Sequence, residues 1–139
     1  MTPIGTLPVA AFWHTLRVYW EDTDAGGVVF YANYLKFFEH ARTEWLRAAG
    51  FGQQQLRDET GAMFVVTNTD VRYLRPARLD DLLDISVSVR ERSRATLTIE
   101  QQALRGGEAL AVGSIRIACV DAASFQPRRI PTELLRALE

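Results

Sequence analysis

Residues 82–92, LLDISVSVRER, place Leu83, Ile85, Val87 and Val89 on one face and Asp84, Ser86, Ser88 and Arg90 on the other. That period of two marks a strand with one buried side. A second period runs through residues 31–49, where Tyr31, Tyr34, Leu35, Phe38, Ala41, Trp45, Leu46 and Ala49 recur every three or four positions until Gly50. This is the stripe of an amphipathic helix, with Lys36, His40, Thr43 and Arg47 on its far side. Arg42 falls inside the stripe and Glu39 on its edge.

Around these two segments the rest of the chain arranges itself. Residues 13–20, WHTLRVYW, have strand composition, and residues 21–30 form a loop with a glycine pair. FGQQQLRDETG predicts a short second helix that stops at Gly61. MFVVTNTDVRYLRPAR is β-rich and closes at Pro76. ATLTIEQQAL follows a tight RSR connection, RGGE signals a hairpin, ALAVGSIRIACVD is a last strand, and TELLRALE a short terminal helix. One strand, one long helix and four more strands predict an α+β fold: a curved antiparallel five-stranded sheet wrapped around one long central helix. A single domain over residues 1–139 is expected from the length. One helix covers one face of such a sheet, so its edges and remaining apolar surface favour a dimer.

Composition narrows the function classes. With 47% apolar and 24% charged residues the chain is an ordinary globular one. No apolar run approaches the ~18 residues of a membrane span. The N-terminal apolar patch lacks a basic region before it, since Arg17 comes after, so no secretory leader is expected. Cys119, the single cysteine, reads as a small buried residue of a strand, and a reduced, cytoplasmic protein follows. A net charge of −1 excludes a generally basic nucleic-acid binder. Residues 72–129 nevertheless carry ten arginines against seven acids, whereas residues 1–71 carry five basic and eight acidic side chains.

The stretch EDTDAGGVVFYANYL, residues 21–35, concentrates the candidate chemistry. Carboxylates near a helix N-terminus ordinarily just cap it, which suffices for Glu21 and Asp22. Asp24 lies seven residues before Tyr31, too far to be the N-cap, with Gly26-Gly27 in the gap. A carboxylate, a glycine turn that admits close approach and the electropositive start of a helix together suit attack on an activated acyl carbonyl. Asp22 and Asp24 have the spacing to hold a divalent metal, but His14 and His40 lie on other elements. No Gly-x-Ser-x-Gly elbow, phosphate-binding P-loop or dinucleotide fingerprint is present. Glu39 and Arg42, three apart on one helix face, either pair with each other or serve separately, Glu39 lining the cleft of Asp24 and Arg42 tied to a buried carboxylate. Trp13, Tyr19 and Trp20 read as core and interface.

VYWEDTDAGGVVFYANYLKFFEHARTEWL resembles the opening motif of the hotdog-fold acyl-CoA thioesterases. Within them it is similar to the 4-hydroxybenzoyl-CoA thioesterase family and its YbgC-like, Tol–Pal-associated branch, and CVDAASFQPRRIP resembles that branch's closing segment. The resemblance implies a hotdog fold and hydrolysis of short- to medium-chain or aromatic acyl-CoA, with acyl-carrier-protein thioesters left open. It places Asp24 on the catalytic carboxylate, as nucleophile or general base, and the Tyr31 backbone N–H on the group that polarises the carbonyl. Many members of the branch carry His at the Tyr31 position, a change that a backbone role tolerates. Gly26, Gly27, Val28 and Glu39 fall on substrate-contacting positions, Glu39 across a dimer interface. Arg90, Arg92 and Arg94 are the candidates for the CoA phosphates, ahead of Arg128 and Arg129. No metal or cofactor is implied. The implied assembly is a homodimer that associates further to a homotetramer. The alternative is a non-catalytic acyl-CoA or acyl-carrier-protein binding or scaffold protein of lipid or cell-envelope metabolism, which an intact Asp24 beside Gly26-Gly27 disfavours. A hotdog dehydratase is disfavoured because neither His14 nor His40 lies in the matching loop.

Overall fold

The structure, a computed structural model, describes residues 11–138. The N-terminal patch on which the reading of a missing leader rests lies mostly outside them. The elements in order are β1 (Phe12–Arg17), a 3-10 turn (Trp20–Asp22), α1 (Asn33–Ala48), α2 (Gln53–Thr60), β2 (Ala62–Tyr73), β3 (Leu82–Arg92), β4 (Thr96–Arg105), β5 (Glu108–Asp121) and α3 (Thr132–Ala137). The five strands form one antiparallel sheet in the order β1-β3-β4-β5-β2. The expected five strands and long central helix are all present, and β3 and α2 keep their expected residues. Among the described residues no helix is long and apolar enough to cross a membrane.

The alternation in β3 does what its pattern predicts: Leu83, Ile85 and Val87 are buried in the core beside Leu97, Ile99, Ile115 and Ile117 of β4 and β5. The helix closes that core with Tyr34, Phe37, Phe38, Ala41 and Leu46. Complete burial of a ring such as that of Phe38 contributes roughly 1.5–3 kcal/mol. Phe38 meets the sheet at Gly113, where an added Cβ would stand 2.9 Å from its ring. The absence of a side chain at Gly113 therefore lets α1 sit close to β5.

Three expectations are corrected. The helix starts at Asn33, not Tyr31, because residues 30–35 are held by a tighter i to i+3 pattern (Asn33 N–H to Phe30 O at 2.8 Å, Tyr34 N–H to Tyr31 O at 3.4 Å, Leu35 N–H to Ala32 O at 3.1 Å). Tyr31 and Leu35 are consequently exposed, while Phe37 is buried in the stripe. The first strand ends at Arg17 rather than at Trp20. There the Asp22 carboxylate accepts the Tyr19 N–H at 2.8 Å and the Asp22 N–H returns to Tyr19 O at 3.0 Å, folding the chain into the 3-10 turn. Tyr19 and Trp20 project from that turn and are exposed, as is Trp13, so none of the three is core in the protomer.

Candidate active site

The loop between the 3-10 turn and α1 is a small antiparallel hairpin. Thr23 pairs with Val29, the Asp24 N–H donates to Val28 O at 2.9 Å, and the Gly27 N–H returns to Asp24 O at 3.0 Å. Gly27 has a φ of 80°, which a residue with a side chain rarely adopts. The Asp24 carboxylate folds back on its own turn and accepts the Gly26 N–H at 2.8 Å. Its other oxygen makes no hydrogen bond among the described residues, and the side chain is exposed. The glycine pair therefore leaves the Asp24 carboxylate in contact with solvent in the isolated protomer.

Two sets of bonds fix this hairpin. On one side it leans on the segment after β2, through a bridge between Val28 and Arg78 and a 2.8 Å bond from Val29 N–H to Ala77 O. Asp81 braces that segment by accepting the Arg78 N–H at 2.9 Å and Arg105 Nη1 at 2.8 Å. Burial alone would raise the Asp81 pKa, but the bond to Arg105, the Arg78 N–H and the two guanidinium charges outweigh it and hold the carboxyl below its ordinary value. On the other side the carbonyl of buried Asp22 accepts both the Phe30 N–H at 2.9 Å and Asn33 Nδ2 at 2.8 Å. Asp22 thus caps its own turn with its side chain and ties the loop to α1 with its backbone. Punctuation is the right description, but not of the helix it was expected to serve.

At the start of α1 the Tyr31 N–H has no acceptor among the described residues. The helix dipole makes that donor electropositive. Beside it lies an apolar hollow of about 230 Å³ walled by Val29, Tyr31, Tyr34, Tyr73, Leu74 and Pro76, with Arg75 at its rim. The walls are an aromatic chain: Tyr31 meets Tyr73 edge-on at 6.1 Å, Tyr73 meets Tyr34 at 5.5 Å, and Tyr34 meets Phe37 at 5.8 Å. The Tyr34 hydroxyl accepts the Ala77 N–H at 3.2 Å, and burial pushes its pKa up. Asp24, Gly26, Gly27 and Val28 thus lie in one hydrogen-bonded loop, and the residues that follow it, Val29 and Tyr31, line the hollow. Tyr34, Tyr73 and Pro76 were missed as site residues, since their contacts join segments about forty residues apart that no local motif connects.

Other expected site residues are not brought there within one protomer. Glu39 lines a separate hollow of about 330 Å³ with His14, His40, Thr43, Glu44 and Arg47, and accepts Thr43 Oγ1 at 2.7 Å. The expected Glu39–Arg42 pair gives way to a 2.9 Å bond from Arg42 Nη1 to Gln101 Oε1. The partner of Arg42 is thus a buried amide rather than a carboxylate. Burial lowers the Arg42 pKa, partly offset by the charge of Glu39. Arg90 and Arg92 sit at the end of β3 remote from the Asp24 loop, and Arg94 in the turn that follows. Leu82 begins β3 beside that loop, and eight residues at ~3.3 Å each carry Arg90 about 26 Å away. Arg92 reaches Leu135 O at 3.4 Å, and the Arg94 carbonyl accepts the Ile130 N–H. Arg128 faces Asp121 at 3.5 Å. Cys119 is buried, and burial raises its thiol pKa. Among the described residues no three His, Cys, Asp or Glu side chains are grouped to hold a metal ion.

Comparison with known proteins places this arrangement. Residues 18–138 match the thioesterase-like superfamily. The chain is 44% identical over 126 residues to the acyl-CoA thioesterase YbgC of Haemophilus influenzae, covering 91% of this chain and 93% of that one. It is 41% identical over 121 residues to the acyl-CoA thioester hydrolase YbgC of Escherichia coli O6:H1, covering 86% and 90% of the two. The crystal structure of a probable thioesterase from Bartonella henselae superposes with a TM-score of 0.83 at 36% identity, over 88% of this chain and all of that one (100%).

Proposed function

Because the chain belongs to the thioesterase-like superfamily, we propose that it is an acyl-CoA thioesterase whose chemistry runs between Asp24 and the Tyr31 N–H. The observation that carries the site assignment is an exposed carboxylate and an unspent backbone donor on one hydrogen-bonded segment, whose Val29 and Tyr31 line an apolar hollow. The thioester carbonyl oxygen accepts the Tyr31 N–H, which stabilises the negative charge that oxygen gains. The acyl group enters the hollow beside Tyr34 and Tyr73, whose size suits short- to medium-chain or aromatic acyl groups.

Asp24 then acts in one of two ways. As nucleophile, its carboxylate oxygen bonds to the carbonyl carbon as the carbon–sulfur bond breaks and CoA leaves as the thiolate, and water hydrolyses the resulting anhydride to the free acid. As general base, it takes a proton from the water that makes the same attack. Either way Asp24→Asn should lower kcat on an acyl-CoA panel by about 10²- to 10⁴-fold while the protein stays folded. A folded variant that keeps most of the wild-type rate removes Asp24 from the mechanism. Inclusion of acyl-carrier-protein thioesters in the panel decides whether they are substrates too.

The distance between the Asp24 loop and Arg90, Arg92 and Arg94 supports a homodimer, associating further to a homotetramer. Only in such an assembly do a second chain's arginines reach this loop and meet the CoA phosphates, and only there does Glu39 approach the acyl group. Light scattering of the active enzyme is expected to give at least two chains per particle. A fully active monomer would sink the roles of these arginines and of Glu39 together. The whole chain acts as one domain in this reading, and the protein is cytoplasmic.

A further inference from the structure

The first turn of α1 is bonded unevenly. Its three i to i+3 bonds measure 2.8 Å at Phe30 O, 3.4 Å at Tyr31 O and 3.1 Å at Ala32 O. The bond at Tyr31 O is the longest and lies at the limit of hydrogen bonding. A second donor makes up for it: the hydroxyl of Tyr73, at the end of β2, reaches the same carbonyl at 3.1 Å. The Tyr73 ring is held on both sides, by Tyr31 at 6.1 Å and by Tyr34 at 5.5 Å, and it also walls the hollow. Burial and then the neighbouring Tyr31 raise the Tyr73 pKa, so the phenol keeps the proton it donates across the neutral range.

We propose that Tyr73 is a positioning residue for thioester hydrolysis: its hydroxyl anchors the Tyr31–Ala32 peptide, and with it the Tyr31 Cα on which the Phe30–Tyr31 peptide turns, whose N–H is to meet the substrate carbonyl. The inference rests on the assignment of that N–H made above. Its physical basis is that β2 belongs to the rigid sheet, whereas residues 30–32 precede the helix proper, and of the two peptides that meet at the Tyr31 Cα the first is held at Phe30 O by a 2.8 Å bond and the second at Tyr31 O by one of only 3.4 Å. A donor shared from the sheet transfers the sheet's rigidity to the group that must not move as charge develops. Nothing in the order of the sequence announces this, because 42 residues separate donor and acceptor.

Tyr73→Phe keeps the ring and removes only the donor. With butyryl-CoA and benzoyl-CoA as substrates, kcat is expected to fall about five- to tenfold on both, the worth of one neutral hydrogen bond, with KM within about twofold of wild type. The melting temperature should hold within roughly 2 °C, as befits a half-exposed hydroxyl. Tyr73→Leu, which also removes the wall, should add a rise in KM to the same loss in kcat. Unchanged kcat in Tyr73→Phe overturns the proposal. So does a loss confined to one acyl group, or one matched by KM and melting temperature, because those are the signatures of a lining or merely structural side chain. Wild-type protein that hydrolyses neither ester overturns the thioesterase mechanism and this inference with it. Failure of Tyr73→Phe alone, with Asp24→Asn inactive, leaves the mechanism standing.

Discussion

Ahead of α1 the exposed Asp24 carboxylate makes one hydrogen bond and the Tyr31 N–H none among the described residues, whereas one to three turns into α1 the helix is stitched into the sheet by Gln101. That amide is 0% exposed and fully used: Nε2 donates to Phe38 O at 3.0 Å and to Ser86 O at 3.3 Å, and Oε1 accepts Arg42 at 2.9 Å. Both regions place polar groups where helix meets sheet. In the buried one both amide atoms of Gln101 are satisfied from within the chain, as a low-dielectric interior demands. In the exposed one the chain leaves a donor and a carboxylate oxygen for something else to satisfy. On the proposed site assignment stability and chemistry are thus separated between the two regions, and a substitution in one should leave the other's property intact.

The largest expected effect tests that separation from the exposed side. Asp24→Asn removes a charge whose one bond among the described residues is to the Gly26 N–H, so kcat should fall by about 10²- to 10⁴-fold while the unfolding midpoint hardly moves. Kinetics and a denaturant titration on one preparation read both quantities. A variant that loses stability in proportion to activity would show that the loop is part of the fold's support and would erase the contrast.

The next effect comes from the buried side. Gln101→Leu strips the partner from Arg42 and leaves the Ser86 carbonyl without the amide it bonds, at a cost of about 3 kcal/mol, or roughly a 10 °C lower melting temperature. At a temperature where the variant remains folded, kcat should stay within about threefold of wild type. Wild-type stability with a large loss of activity would place Gln101 in the chemistry and break the comparison from its other end.

The two regions also differ in how far the sequence discloses them. Asp24, Gly26-Gly27 and Tyr31 lie within eight residues, so their spacing alone says that a carboxylate and a helix start can face one carbonyl. The alternation of β3 and the stripe of α1 are local in the same sense. Gln101 reads only as one polar residue in a β-rich run, and its role depends on Arg42, 59 positions earlier. The remoteness of Arg90 to Arg94 from Asp24 is equally hidden. It follows from the direction of β3, which is fixed by its antiparallel pairing with β1 and β4. Boundaries failed where one side chain redirects the backbone: Asp22 turns the chain after Tyr19 and ends β1 early, an effect outside the reach of periodicity. What is legible is what repeats or lies close along the chain, and what is hidden is what strand order brings together.

Asp81 lies between the two regimes and carries the smallest effect. Like Gln101 it braces backbone from within the fold, through the Arg78 N–H and Arg105, yet its side chain and that of Arg105 remain 23% and 33% exposed. Its carboxyl is held below the ordinary value of 3.8 in the folded protein. A depressed folded pKa means that the carboxylate's contribution is fully present above the unfolded value and is lost as pH falls through the folded one. Solvent screening keeps it small, under about 1 kcal/mol. Urea midpoints measured from pH 6 downward should therefore fall more steeply below about pH 4 for wild type than for Asp81→Asn, which lacks the titrating group. Parallel curves would mean that the bond to Arg105 contributes no net stability. The segment that carries Ala77 and Arg78, and with them the Asp24 hairpin, would then be held by its backbone bonds and the Tyr34 hydroxyl.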